Sequence, residues 1–278
     1  MNRTFVPWLD LDLTLNSGQV FNWEKIKEFY YGFFSDKIVK VKKEADYLVW
    51  QTYPEKDNFT FIQEYFHLDH DYLATLQEIS TDELVKKALN NYKGLHILNH
   101  PFEQTLFSFM LATNKNIPAI KKSVKKLSEI NGKSLEVDSI KFYLYPKADF
   151  FYQSSIEKLM EASVGYRAAY LKDAAEKLIA SGTGASREFD REFLLAIKGV
   201  GDKVADCVLS FSLKHYDITP IDIWSDRIIR YYYKNTKLKK YSDKSKWFTK
   251  KFGNKTAWAG AVLFEKIRNE KNASKQSN

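Results

Sequence analysis

The sequence predicts an α+β protein, with a β-rich N-terminal domain (an antiparallel sheet with helices) packed on an all-α body. Three observations carry this. From residue 1 to about 77, short apolar and aromatic runs are separated by turn signals. From about residue 78 onward, apolar residues recur at three- and four-residue spacing, the period of a helix. Residues 193–230, FLLAIKGVGDKVADCVLSFSLKHYDITPIDIWSDRIIR, then read as helix, glycine turn, helix, and the rest of the chain is organised around them. The expected division is 1–77 for the β-rich domain, 78–268 for the helical region and 269–278 for a polar, disordered tail.

The N-terminal elements follow from local pattern. Leu11-Asp12-Leu13-Thr14-Leu15 alternates, which predicts a strand, and Asn16-Ser17-Gly18 is a turn signal. Residues 29–34 form an aromatic strand run, closed by Ser35-Asp36. Residues 37–42 and 47–50 pair as a hairpin through 43–46, and residues 59–66 predict a helix. His67, Asp69, His70 and Asp71 can be read as metal ligands, but their spacing matches no established site. A solvated cluster at a helix start, with Asp69 as cap, fits better.

The body is read in the same way. Ser80-Thr81-Asp82-Glu83 caps a helix to about Asn90. Residues 101–113, PFEQTLFSFMLAT, form a buried central helix, broken by Asn114-Lys115-Asn116. Ile117, Ile120, Val124, Leu127 and Ile130 make one apolar face, leaving Lys121, Lys122, Lys125 and Lys126 on solvated positions. Residues 142–146 predict a loop, and 174–179 continue a helix. Residues 181–186, SGTGAS, predict a flexible loop without the lysine of a phosphate-binding loop.

Composition narrows the function. The chain has 278 residues, 44% of them apolar, enough for a real core. Net charge is +8 with pI near 9.1, which favours a polyanionic partner. Residues 234–255 hold nine lysines and one acid, Asp243, and suit either a DNA-lining surface or a solvated loop. A single cysteine, Cys207, excludes an internal disulfide framework and any four-cysteine zinc or iron–sulfur site within the chain. No apolar run reaches membrane-spanning length and no secretory signal opens the chain, so an intracellular protein is expected.

The hairpin carries the chemistry. Gly199-Val200-Gly201 allows backbone conformations closed to other residues and lets backbone N–H groups approach an anion, so a DNA phosphate fits there. Such a contact is blind to base sequence. Lys203 opens the second helix, in the positive field of its N-terminus, where the uncharged and nucleophilic form of an amine is favoured. A lysine of this kind can form a Schiff base. Asp222 follows 19 residues later in Pro220-Ile221-Asp222-Ile223-Trp224 and can stabilise positive charge on a sugar or shuttle protons. Taken alone, the hairpin is better read as a phosphate clamp with Lys203 solvated and Asp222 as a plain helix cap.

The block Gly-Val-Gly-x-Lys-Val-Ala-Asp-Cys, followed by Ile-Asp, resembles the helix-hairpin-helix DNA glycosylase superfamily, and within it the 8-oxoguanine DNA glycosylase/AP lyases. The resemblance spans roughly residues 9 to 268. It implies a glycosylase body under the N-terminal sheet, removal of 8-oxoguanine from duplex DNA by base flipping, and an attached β-elimination activity. Lys203 would attack C1′ and Asp222 would assist. Ser17-Gly18-Gln19-Val20-Phe21-Asn22-Trp23 resembles the family's Ser-Gly-Gln-x-Phe-x-Trp signature. There a glycine carbonyl accepts a hydrogen bond from N7–H of 8-oxoguanine, a hydrogen that guanine lacks, and Gly18 takes that place. A polar group left unpaired in a buried site costs about 1–3 kcal/mol, enough to discriminate.

Further positions follow from the same resemblance. Asn114 would enter the space left by the flipped nucleotide. In Gly165-Tyr166-Arg167-Ala168-Ala169-Tyr170, Tyr166 would wedge the duplex and Arg167 would contact the orphaned base. Cys207 and Phe264 would sandwich the base, with Cys207 also forming an ion pair with Lys203. Gly199, Val200, Gly201 and Trp224 would lie along the DNA backbone. The chain departs from the family at three places: Ala119 where eukaryotic members carry an arginine that reads the orphaned cytosine, Gly260 where a glutamine reads the base edge, and Trp224 where a histidine lies near a phosphate. The resemblance implies no metal and no organic cofactor, damaged double-stranded DNA as partner, no membrane and a monomer. The compartment would be the cytoplasm or nucleoid of a prokaryote, or the nucleus of a eukaryote. Two alternatives stay open: a glycosylase for alkylated or other bases, and a non-enzymatic DNA-binding protein.

Overall fold

The computed structural model describes residues 1–182 and 189–276. Strands β1 (Asn2–Phe5), β2 (Trp23–Ile26), β3 (Phe29–Phe33), β4 (Ile38–Glu44) and β5 (Tyr47–Tyr53) form one antiparallel sheet in the order β1-β5-β4-β3-β2. The expected hairpin is β4–β5, with Val41 opposite Trp50. Side chains alternate across the sheet. Tyr30, Val39, Val41 and Trp50 pack with Ile62, Tyr65 and Phe66 of α2 (Phe59–Phe66; the earlier helix is α1, Leu11–Asn16). Tyr31, Phe33 and Ile38 join the core of the helical body. The sheet is thus covered on both faces, which explains its near-continuous apolar runs.

Two N-terminal expectations are corrected. Residues 11–15 form α1 rather than a strand: Leu11, Thr14 and Leu15 are buried together at helical spacing, and Asp10 caps the helix by accepting from the N–H of Leu13 at 2.8 Å. Asp71, not Asp69, caps α3 (Tyr72–Ile79), accepting from the N–H of Ala74 at 2.9 Å. The histidines beside it are not solvated. His67 and His70 stack with centroids 4.7 Å apart, and His70 stacks on Trp258 at 4.8 Å.

The body continues with α4 (Glu83–Tyr92, capped by Asp82), the buried α5 (Phe102–Leu111) and α6 (Ile117–Asn131). A hairpin then intervenes, β6 (Ser134–Val137) and β7 (Ile140–Tyr143), where the sequence suggested only a loop at 142–146. Asp138 and Ser139 turn it with positive φ, a conformation Asp adopts more readily than most residues. Its tip is fixed to the sheet, because Asp138 accepts from Tyr31 Oη and Lys40 Nζ, each at 2.6 Å.

Helices α7 (Ala148–Gln153), α8 (Ile156–Met160) and α9 (Arg167–Ala180) follow. The predicted glycine-rich loop lies outside the described residues from 183 to 186. Next come α10 (Arg191–Leu195), α11 (Asp202–Ser212), α12 (Ile223–Arg227, continued by a π-helical turn), α13 (Tyr241–Phe252) and α14 (Thr256–Gln276). The lysine-rich stretch is therefore largely helix α13. Three of its lysines are paired with acids elsewhere in the fold, Lys244 with Asp226, Lys251 with Asp82 and Lys255 with Glu78. Residues 269–276, expected as a disordered tail, extend α14.

The α10–α11 hairpin is locked from both sides. Gly199 has φ +86°, and a Cβ there would fall 2.5 Å from the Tyr170 ring, so the turn packs directly on α9. Arg191 spans the hairpin, bonding Asp202 at 2.6 Å and the buried Asp206 at 3.1 Å. Replacing Arg191 with Met leaves a buried carboxylate without its cation. The expected cost is about 1–3 kcal/mol, seen as an earlier urea midpoint with an unchanged slope. An unaltered midpoint would show that the ion pair does not hold the hairpin.

Candidate active site

One cavity of about 550 Å³ draws its walls from four separated stretches of the chain, within 17–21, 109–120, 203–225 and 257–269. Gly18, Lys203, Cys207, Asp222, Trp224 and Phe264 line it together. Residues that the sequence placed in separate motifs thus converge on one space.

The Gly18 wall is set by a buried lattice. The turn needs φ +86° at Gly18, a left-handed conformation suited to glycine. Ser17 Oγ donates to the carbonyl of Thr14 at 2.9 Å. The Gln19 amide donates to Ser17 Oγ at 2.9 Å and to the His96 carbonyl at 2.7 Å, and its Oε1 accepts from the N–H of Leu98 at 2.8 Å. Phe21 packs edge-on against Phe109 of α5, and Trp23 donates to Tyr65 Oη at 2.7 Å. The Ser-Gly-Gln-x-Phe-x-Trp pattern is therefore mostly scaffold around one glycine. A Cβ at Gly18 would lie 3.1 Å from Ile117 and 3.9 Å from Phe264, so the turn faces the Phe264 ring.

The opposite wall comes from α11 and α12. Gly201 is the N-cap of α11 and, among the described residues, no side chain caps the helix start, so its leading N–H groups can meet an anion. Val200 is a core residue and its N–H closes the turn on the Ile197 carbonyl at 3.0 Å, which leaves the phosphate contact to the N–H groups that follow. Lys203 is exposed to the cavity. Asp222 caps α12, with Oδ1 accepting from the N–H groups of Trp224 and Ser225 at 2.8 and 2.9 Å. Its role as cap and its place in the cavity coexist. Tyr241 Oη joins the two helices, donating to Asp206 of α11 at 2.7 Å and accepting from the N–H of Ile221, beside Asp222, at 3.1 Å. Burial pushes the Cys207 thiol well above its ordinary range, against the pull of Lys203. That direction disfavours the thiolate that an ion pair with Lys203 would need.

Asn114, Tyr166 and Arg167 stand apart from the cavity, on a ledge formed where α5 ends and α9 begins. Asn114 is exposed with φ +53°, and Tyr166 is 59% exposed, free to meet a large partner. Arg167 does not project into solvent. It is buried, its guanidinium lies 4.4 Å from the Tyr166 centroid, and it donates to the carbonyls of Val164 and Thr113. It therefore braces the Asn114 turn. Lys121 and Lys125, expected on a solvated face of α6, reach the N-terminal domain instead, at Asn16 Oδ1 (3.3 Å) and Glu24 (2.9 Å).

The sequence missed Thr219 and Arg268. A Cβ on Gly260 would lie 2.2 Å from Thr219 Oγ1, so the threonine fills the space that a side chain at 260 would need. Glycine at 260 was the available signal for it. Arg268 gave none.

This architecture, an N-terminal antiparallel sheet on a helical body whose glycine hairpin presents a lysine to a cavity, defines the class of helix-hairpin-helix DNA glycosylases. The family profile described as 8-oxoguanine DNA glycosylase, N-terminal domain, matches residues 6–106. The N-glycosylase/DNA lyase OGG1 of Arabidopsis thaliana is 25% identical over 92% of this chain and 76% of its own length. The solved structure of MBOgg1 with a low-affinity DNA ligand superposes with TM-score 0.89 at 29% identity, over 97% of this chain and 99% of that one. The Clostridium acetobutylicum 8-oxoguanine glycosylase/lyase, solved with duplex DNA containing cytosine opposite 8-oxoguanine, gives 0.87 at 28% identity, over 95% and 93%. Over nearly its whole length the chain is similar to 8-oxoguanine DNA glycosylase/lyases.

One wall of the cavity has a pH-sensitive support. Glu265 is 1% exposed, and burial raises its carboxyl from 4.5 to about 7 although Arg268 opposes the shift. The folded protein then binds this proton more tightly than the unfolded chain, so the stability it contributes is complete below about pH 4.5 and lost as pH rises through about 7. Urea unfolding at pH 5 and pH 8 should show wild type losing roughly 2–3 kcal/mol relative to Glu265→Gln across that interval. Parallel pH curves for the two proteins would contradict it.

Proposed function

We propose that the protein removes 8-oxoguanine from duplex DNA and then cleaves the strand at the resulting abasic site. The observation that carries this reading is the meeting of Gly18, Lys203, Cys207, Asp222 and Phe264 in one cavity. DNA docks through its phosphates, on the open start of α11 among others. Asn114 and Tyr166 support extrusion from the ledge, and Trp224 lies beside the backbone. The base enters between Cys207 and Phe264. A neutral, buried thiol suits a flat neutral ring better than a thiolate would, since no ionic charge has to be desolvated. The carbonyl of Gly18 accepts N7–H, which only the oxidised base offers.

Lys203 Nζ then attacks C1′ and the bond to N9 breaks, the base leaving with the electron pair and gaining a proton. Asp222 opposes the positive charge that develops on the sugar. Opening of the C1′–O4′ bond gives the iminium. Loss of a proton from C2′ then expels the 3′ phosphate. Every step is covalent or acid–base chemistry of the chain's own groups. The protein acts as a monomer in this account, since a single chain supplies both walls of the cavity.

The test is excision measured on matched duplexes carrying 8-oxoguanine, its 7-deaza analogue, guanine or 3-methyladenine. Release of 8-oxoguanine, with the 7-deaza analogue and guanine both at least tenfold slower, is expected, since loss of one hydrogen bond in a dry site is worth at least that factor (about 1.4 kcal/mol). Release of 3-methyladenine in preference would replace the reading with one of alkylated-base repair.

A further inference from the structure

Arg268 of α14 is bound in three directions at the rim of the cavity. Its Nη1 and Nη2 both donate to the carbonyl of Asn16 at 3.2 Å. Nη2 also meets Oε2 of Glu265 at 2.6 Å, and the guanidinium carbon lies 5.3 Å from the centroid of the Phe264 ring. One side chain thus touches the turn that carries Gly18, the ring across from it, and a buried carboxylate. Lys121 of α6 holds the same residue from the other side, through Asn16 Oδ1. The other Glu265 oxygen has no partner among the described residues and is buried, so that carboxylate is oriented by Arg268 and, more distantly, Asn269.

We propose that Arg268 is a positioning residue that sets the spacing between the Gly18 carbonyl and the Phe264 ring, and thereby the protein's discrimination for the damaged base. The inference rests on the proposed excision of 8-oxoguanine. The covalent steps at the sugar depend on the far wall, where Lys203 and Asp222 are held by the Arg191, Asp206 and Tyr241 contacts. Arg268 touches none of these. Guanidinium geometry is needed because both Nη donors converge on one carbonyl while one of them keeps the carboxylate; a lysine amine is a single point of charge and cannot span the pair in the same way.

The experiment compares single-turnover excision of 8-oxoguanine with strand cleavage at a preformed abasic site, which needs no base in the cavity. The proteins are wild type, Arg268→Lys and the double variant Glu265→Gln/Arg268→Met, which leaves no buried carboxylate unpaired. The ratio of excision to abasic-site cleavage should fall at least tenfold in both variants, with selectivity for 8-oxoguanine over guanine falling in step. An unchanged ratio, or equal loss of both activities, would overturn the proposal, the second by showing a merely structural brace. Wild type inactive on 8-oxoguanine would instead remove the functional reading beneath it.

Discussion

Lys203 and Asp222 sit on different helices, and a reaction at one carbon atom requires them to be held in fixed relation. The Tyr241 hydroxyl provides that constraint, donating to Asp206 one turn along from Lys203 and accepting from the N–H next to Asp222. Burial raises the Asp206 carboxyl, while Arg191 and Tyr241 pull it back toward the ionised form. Desolvation makes such a group costly if unpaired, so the same contacts that satisfy it fix the distance between the two helices. Preorganisation of this sort lets a nucleophile meet its target without reorganisation at the moment of reaction.

The base-recognising wall uses a different principle. Few charges are involved there; the Gln19 amide is held by the backbone of His96 and Leu98 and by the Ser17 hydroxyl, and turns a flexible glycine segment into a rigid edge. Only at the rim does charge return, with Arg268 and Lys121 on the two sides of Asn16. A carbonyl on a rigid edge can test for one hydrogen atom, because a misplaced or missing donor leaves it desolvated and unpaired.

Local signals made much of this legible in the sequence. The hairpin, Lys203, Asp222 and the Gly18 turn each lie within a short run whose residue types have a stated physical use. The errors also have causes. Alternating leucines in residues 11–15 imitate a strand, yet a helix with Asp10 as cap buries Leu11, Thr14 and Leu15 on one side. The β6–β7 hairpin is held by Tyr31 and Lys40, about a hundred residues away, so its own short strands gave little signal. The upward push on the Cys207 thiol comes from burial, which no spacing reveals. Arg268 could not be found from pattern, since its partner Asn16 is 252 residues distant.

The central claim is that Lys203 forms the covalent bond to the sugar. Borohydride trapping on a duplex with one 8-oxoguanine opposite cytosine tests it directly, with wild type and Lys203→Gln compared side by side. A protein–DNA adduct for wild type and none for the variant is the predicted result. Base release by wild type without any trapped adduct would contradict it and take the lysine out of the mechanism.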